Sequence, residues 1–208
     1  MKHITKQAEP QAFIDWKATG TKTFKDLHKT ALKQELKEAL IEEQGAICCY
    51  CESTILLDNS HIEHFKPRET FPNDQLDYSN LLCSCQRQLS KGEDRHCGNS
   101  KENWYDPNLL VSPLDTDCEK RFTYTKRGKI KAASKTDDAA KETMNHLKLN
   151  IPKLNASRQK AIDPFLDEDL SVSDLKHLVS DYLKADSNGY FSEFHTTIHQ
   201  LFGEYLSA

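Results

Sequence analysis

Ser60-His-Ile-Glu-His-Phe-Lys-Pro-Arg68 is the stretch on which the reading of this chain turns. As an extended strand it places His61, Glu63 and Phe65 on one face and Ile62 and His64 on the other. Pro67 cannot donate to a ladder and ends the run. Strict alternation separates Glu63 from its neighbour His64. A bulge, or the end of the strand, is needed to bring both to one site.

Cysteines surround this segment. Seven occur, at 48, 49, 51, 83, 85, 97 and 118. Cys48 and Cys51 form a C-x-x-C pair whose sulfurs can converge on one tetrahedral ion after a tight turn. The second pair must come from Cys83, Cys85 and Cys97. Cys85, closing an apolar segment, and Cys97, opening Cys-Gly-Asn-Ser-Lys101 as a helix start, are favoured, with Cys83 as the substitute for Cys85. The polar run 86–96 between them reads as an inserted loop. No βαβ pattern surrounds the C-x-x-C, so a redox role is disfavoured. Structural zinc closed by four thiolates is expected.

The chain divides into three parts. Residues 1–45 read as helical, with a short helix near Gln11 to Lys17 and a longer one carrying Ala31, Leu32, Leu36, Ala39 and Leu40. Gly45 supplies its left-handed cap. Residues 46–135 hold the cysteine and histidine segments and a β-hairpin near 121–133, with Gly128 in its turn. Residues 136–208 return to helix. Pro152 suits the first turn of one helix and Ser173 the N-cap of the next. Phe191, Phe194, Ile198, Leu201 and Phe202 form a last amphipathic stripe. The two terminal parts are expected to pack as one helical body that offers a docking surface. The fold class is α+β, mainly helical.

Of the 208 residues, 37% are hydrophobic and 29% charged, which permits a buried core. No apolar run approaches the roughly 20 residues of a membrane helix, and Met1-Lys-His-Ile-Thr-Lys is no signal core. A cytoplasmic protein without membrane contact is expected. The net charge of −4 lacks the basic bias of a free-standing nucleic-acid binder, so basic residues must be concentrated locally or a partner must hold the nucleic acid.

The chemistry offered by His64 and Glu63 is hydrolytic. Phosphodiester hydrolysis needs a base to activate water, a metal to neutralise phosphate and leaving oxygen, and a base fixed in one tautomer. A neutral histidine suits the first task near pH 7, and a carboxylate suits a hard divalent ion such as Mg2+. The series Cys48-x-x-Cys51, Glu63-His64-Phe-Lys-Pro67, Asn80-Leu-Leu82, Cys85 and Cys97 to Lys101 resembles HNH nucleases of the ββα-metal type. The fuller pattern, with Cys-Tyr-Cys-Glu52, Tyr78-Ser-Asn-Leu-Leu82, His96-Cys-Gly-Asn-Ser-Lys101 and Leu147-Lys-Leu-Asn150 ahead of Leu154 and Arg158, resembles the PtuB-like subfamily. That likeness covers roughly 45–160.

The resemblance implies a central ββα-metal unit between helical flanks, and an effector nuclease of anti-phage Septu systems, some of them attached to retrons. It implies His64 as general base, Glu63 as a ligand of Mg2+ or another divalent metal, and Asn80 as the residue that orients the loop and the base. The last ligand normally follows the final cysteine. Gly98 stands there, so Asn99 is the candidate and His96 the reserve. Lys66, Arg68, Lys101 and the hairpin residues Lys126, Arg127 and Lys129 are the expected phosphate contacts. The implied partners are nucleic acid, a PtuA-type ATPase and, in retron-linked members, a reverse transcriptase with its RNA–DNA. A zinc-stabilised binding module without catalysis is the competing class, and tRNA or other RNA the competing substrate.

Overall fold

Local sequence starts each helix of the computed structural model, which describes residues 1–206; the last two positions of the expected C-terminal part lie outside these. The short first helix, α1 (Gln11–Ala18), follows Pro10. The second, α2 (Ala31–Glu43), begins where the Thr30 side chain accepts a hydrogen bond from the Lys33 amide. It ends before Gly45, whose φ of +64° is the left-handed cap conformation. Gly45 is also constrained by packing, because a Cβ there would enter the Phe191 ring.

The histidine segment is a strand, β1 (Ser60–His64), paired antiparallel with β2 (Leu81–Cys85). The register sets Ser60 opposite Cys85, Glu63 opposite Leu82 and His64 opposite Leu81. Helix α2 packs on this pair, and the four-residue α3 (Gly98–Lys101) follows it in sequence. The expected hairpin is β3 (Phe122–Tyr124) and β4 (Ile130–Ala132), with Gly128 at φ +71° in the turn. This turn is seated on α5 (Pro152–Ile162): Arg158, 1% exposed, donates to the carbonyls of Gly128 and Leu149, and Asn150 exchanges two bonds with Ile130. The Asn150 and Arg158 marks of the sequence pattern are therefore structural.

Helix α4 (Asp138–His146) precedes α5; α6 (Val172–Leu183) and α7 (His195–Phe202) complete the chain. Two expectations change. Ser171, not Ser173, caps α6, its hydroxyl accepting from the Asp174 amide. Phe191 lies outside the last helix: its amide bonds to the Gly45 carbonyl, and Phe194 starts α7 in a left-handed conformation. Helices α1, α2 and α4, with Leu154 of α5, share the large core that contains both sheets, whereas Ile162, Phe165, Val179, Ile198 and Phe202 form a second, smaller core. Among the described residues, no helix is long and apolar enough to cross a membrane.

One buried charge pair ties the ends to the centre. The Met1 ammonium lies 2.6 Å from Glu52, the residue after Cys51, and both groups are almost wholly buried. Tyr124 and Thr196 complete the cluster, so β3 and α7 meet beside the cysteine turn. Burial opposes both charges, but for Met1 the Coulombic attraction of Glu52 and the hydrogen bonds outweigh it and raise the amine pKa to about 11.

Candidate active site and metal centre

Cys48, Cys51, Cys85 and Cys97 bring their sulfurs within 4.8 Å of one another, all buried. The Sγ atoms of Cys51 and Cys85 are 3.7 Å apart. Zinc bound at about 2.3 Å per sulfur sets a tetrahedral edge of about 3.8 Å, so the donor set fits that ion. The Cys85 and Ser53 amides point at the Cys48 and Cys51 sulfurs, as donors to thiolates would. Burial works against ionisation of Cys48, yet hydrogen bonds from Cys49, Cys51, Cys85 and Cys97 outweigh it and hold its pKa well below that of an ordinary thiol. Burial raises Cys49 and pushes Cys83 and Cys118, which stand outside the cluster, up to about 12. Cys85, and not its substitute Cys83, brings its sulfur to the other three. His96 faces this cluster, with Nδ1 3.2 Å from Cys97 Sγ, and does not line the cleft that holds Glu63 and His64.

His64 and Glu63 share a cleft of about 420 Å³ with Phe24, Arg68, Gly98 and Asn99. They reach it together because His64 is the last residue of β1. Its Nε2 lies 3.1 Å from the Gln75 carbonyl. A carbonyl only accepts, so the proton sits on Nε2 and leaves Nδ1 as a base. Burial is the main cause that brings the His64 pKa down to about 4 and keeps the ring neutral. The Phe24 ring meets it edge-on at 4.4 Å.

Asn80 holds the loop that supplies the Gln75 carbonyl. Its Oδ1 accepts from the Lys66 amide at 2.7 Å, and its Nδ2 donates to the carbonyls of Lys66 and Asp74. Glu63 is held from the other side. Its Oε1 accepts from Tyr50 at 3.2 Å and pairs with Lys101 at 3.0 Å, while Oε2 faces His61 Nε2 at 3.6 Å. Burial opposes ionisation of Glu63, but His61 and Lys101 outweigh it and keep the carboxyl below its ordinary range. Oε2 is thus the oxygen left for a hard cation, and an ionised carboxylate fits a divalent metal. The Asn99 amide donates to the Gln86 carbonyl.

The expected phosphate contacts separate. Arg68 lines the cleft; Lys66 pairs with Asp74 at 2.9 Å. Lys101 is 2% exposed and spends its ammonium on Glu63 and the His64 carbonyl, so it is not a surface cation. Lys126, Arg127 and Lys129 sit at the hairpin turn and line neither the cleft nor its extension. That extension, about 520 Å³, is walled by His28, Lys29, Lys33, Lys37, His61 and Arg87, and shares Lys33 and Ile62 with the cleft. Four of these residues belong to α2 or the turn before it, in the part read from sequence only as helical. Periodicity could not reveal them, because it reports the buried face of a helix and not what its polar face adjoins.

No protein-family model matches the chain. Named relatives do. The protein named as the HNH endonuclease of retron Ec83, from Escherichia coli, is 30% identical over 79% of this chain and 80% of its own length. This chain belongs to the HNH endonuclease family of the PtuB and retron type. The namesake from retron Vc95 of Vibrio cholerae is 30% identical over 64% of this chain and 65% of its own. Septu protein PtuB of Bacillus thuringiensis is 30% identical over 72% of this chain, which spans 55% of that longer relative.

Proposed function

We propose that this chain is a metal-dependent endonuclease of an anti-phage defence complex, hydrolysing phosphodiester bonds with His64 as general base. The observation that carries the reading is the 3.1 Å contact of His64 Nε2 with the Gln75 carbonyl, which requires a proton on that nitrogen. That proton is committed to Gln75, so a neutral Nδ1 is available in the cleft beside an ionised Glu63. A water placed between Nδ1 and the scissile phosphate loses its proton to His64 as it attacks phosphorus. Asn80 keeps the ring in register through the 66–75 loop, as a positioning residue. Glu63 would hold the divalent ion, which when bound supplies charge neutralisation at the phosphate and leaving oxygen. Tyr50 and Lys101 fix the Glu63 carboxylate. The four cysteines, with zinc, hold β2 and α3 against the 48–51 turn, giving a ββα-metal arrangement of β1, β2 and α3.

The phosphate backbone lies along the α2 wall, on Lys29, Lys33, Arg87 and Arg68, rather than on the hairpin. The three-part division, 1–45, 46–135 and 136–208, is kept as a working description, the C-terminal part being the docking region for a PtuA-type ATPase. A reverse transcriptase with its RNA–DNA joins if the chain is retron-linked, and the complex acts in the cytoplasm.

Attack by water needs no 2′-hydroxyl, so labelled DNA and tRNA are both offered to the purified complex, with and without Mg2+ or Mn2+. Cleavage of either that disappears in a folded His64→Ala variant supports the reading. Undiminished cleavage or phage protection by that variant overturns it.

A further inference from the structure

The position after the last cysteine of the cluster, Gly98, carries no side chain, and one placed there would have to displace its neighbours. A Cβ built there would come 2.5 Å from Glu63 Oε2 and 2.8 Å from His61 Nε2. No real Cβ approaches polar atoms that closely, so the volume over Gly98 belongs to the His61–Glu63 pair. These two side chains are neighbours because they stand two apart on β1, on one face. We infer that His61 Nε2 is the second protein ligand of the divalent metal, partnering Glu63 Oε2 and replacing any ligand from α3. This inference rests on the nuclease reading and names the residues that complete its metal site.

Three observations on His61 and its surroundings agree. The Nε2–Oε2 separation of 3.6 Å is one that two donors at about 2.0–2.2 Å from a common ion can span. Glu63 Oε1 is already satisfied by Tyr50 and Lys101, so its other oxygen is a single directed donor. His61 is three-quarters buried and its Nδ1 has no protein partner, so the ring is held in the fold only through the Nε2 contact with Glu63 that a metal would replace. Asn99 donates its Nδ2 to the Gln86 carbonyl, which leaves only Oδ1, a weaker donor than an imidazole, for an ion. A mixed nitrogen–oxygen pair shifts preference toward first-row transition ions and away from Mg2+, which prefers oxygen and water.

The probe is Mn2+ alone, titrated into the zinc-loaded full-length protein without chelators, with binding read by electron paramagnetic resonance. Electron spin-echo modulation reports nitrogen coordination directly. The wild type should bind one Mn2+ with imidazole nitrogen modulation, and more tightly than Mg2+. His61→Ala should lose the modulation and weaken binding by more than about tenfold, with zinc content and melting temperature unchanged. Asn99→Ala should bind as the wild type. Gly98→Ala, which pushes a methyl between the two donors, should weaken binding as well.

Absence of nitrogen modulation in the wild type overturns the inference. So does unaltered Mn2+ affinity in His61→Ala. If His61→Ala loses its fold, His61→Asn and Gly98→Ala carry the same test through the modulation signal. The failure of the nuclease reading is separate: a wild-type complex that binds Mn2+ through imidazole and cuts no nucleic acid would keep this site and lose that function.

Discussion

The cysteine cluster and the His64 cleft lie side by side on the same pair of strands, and they are built in opposite ways. The cluster is closed. Its four donors face one another and all are buried. The cleft is open: Glu63 and His64 line it and His61 adjoins Glu63 from the neighbouring groove, so that in the proposed reading one carboxylate oxygen and one imidazole supply only part of a coordination shell. Closed sets hold structure, and open sets leave room for water and substrate. Loss of a donor should therefore unfold the protein in one region and stop chemistry in the other.

The largest effect tests the closed half. Structural zinc contributes about 10–16 kcal/mol of apparent binding energy in small domains, more than most domains have in reserve. Cys48→Ser or Cys85→Ser should remove bound zinc and the cooperative melting transition of the large core together. A variant with no zinc and an unchanged melt would break the comparison, because the cluster would then be packing rather than a metal centre.

The next effect tests the open half. His64→Ala should lower cleavage by about 10²–10⁴-fold, the usual contribution of a general base, with zinc and melting temperature retained. The acid limb of the rate–pH profile should lie well below the ordinary histidine value. Nδ1 accepts a proton only while neutral, and burial holds the His64 pKa down to about 4. Activity should thus persist at pH 5.5 and fall as the pH drops further. An acid limb near 6.5 that is absent from His64→Ala would mean a ring more solvated than its packing against Phe24 allows.

These two halves also differ in how far the sequence discloses them. Cys48, Cys51, Cys85 and Cys97 could be chosen by spacing, since a closed site is defined by its own ligands. His64 and Glu63 could be named, and their meeting calls for a bulge or a strand end; only the structure chooses the strand end, with β1 stopping at His64. Sequence favours a structural role for His61 over that of the base, although alternation already places it on the face of Glu63. The decisive feature is the contact of that face with Gly98, which spacing does not encode. Lys101 was misjudged for a related reason: a lysine reads as a surface charge until its burial against Glu63 is visible. Asn80 was legible as one of a series, while its three bonds to the 66–74 loop were not.

A smaller effect concerns Glu52, which joins the cysteine turn to the chain end and α7. Glu52→Gln leaves the Met1 ammonium buried without a counter-charge, and removing one partner of a buried pair costs about 3–5 kcal/mol. The pH dependence has a definite sign. The amine pKa is raised to about 11, so its contribution is complete below its ordinary value of 8.0 and is lost as the pH rises through about 11. The carboxyl pKa of Glu52 is lowered, so its contribution is complete above the ordinary 4.5 and is lost on acidification through its folded value. Urea denaturation of the wild type should weaken between pH 8 and 11, and Glu52→Gln should lack that component. Zinc should stay bound in the variant at neutral pH, since Glu52 is no ligand; zinc loss would show that the closed site depends on its neighbour.

The smallest effect separates two basic surfaces. Cations along a phosphate backbone each contribute roughly one unit to the dependence of log affinity on log salt. Lys33→Gln and Arg87→Gln should each weaken nucleic-acid binding severalfold and reduce that slope by about one, because both wall the groove that runs into the cleft. Lys33 is the more sensitive of the two: burial and the adjacent Arg68 and Arg87 lower its pKa, so it gains most when a phosphate arrives among them. The triple change of Lys126, Arg127 and Lys129 to Gln should leave the slope alone, because the hairpin turn is committed to α5 and lines neither part of the cleft. If the hairpin changes flatten the slope and the α2 changes do not, nucleic acid approaches over β3 and β4, and the α2 groove is only the side of the cleft.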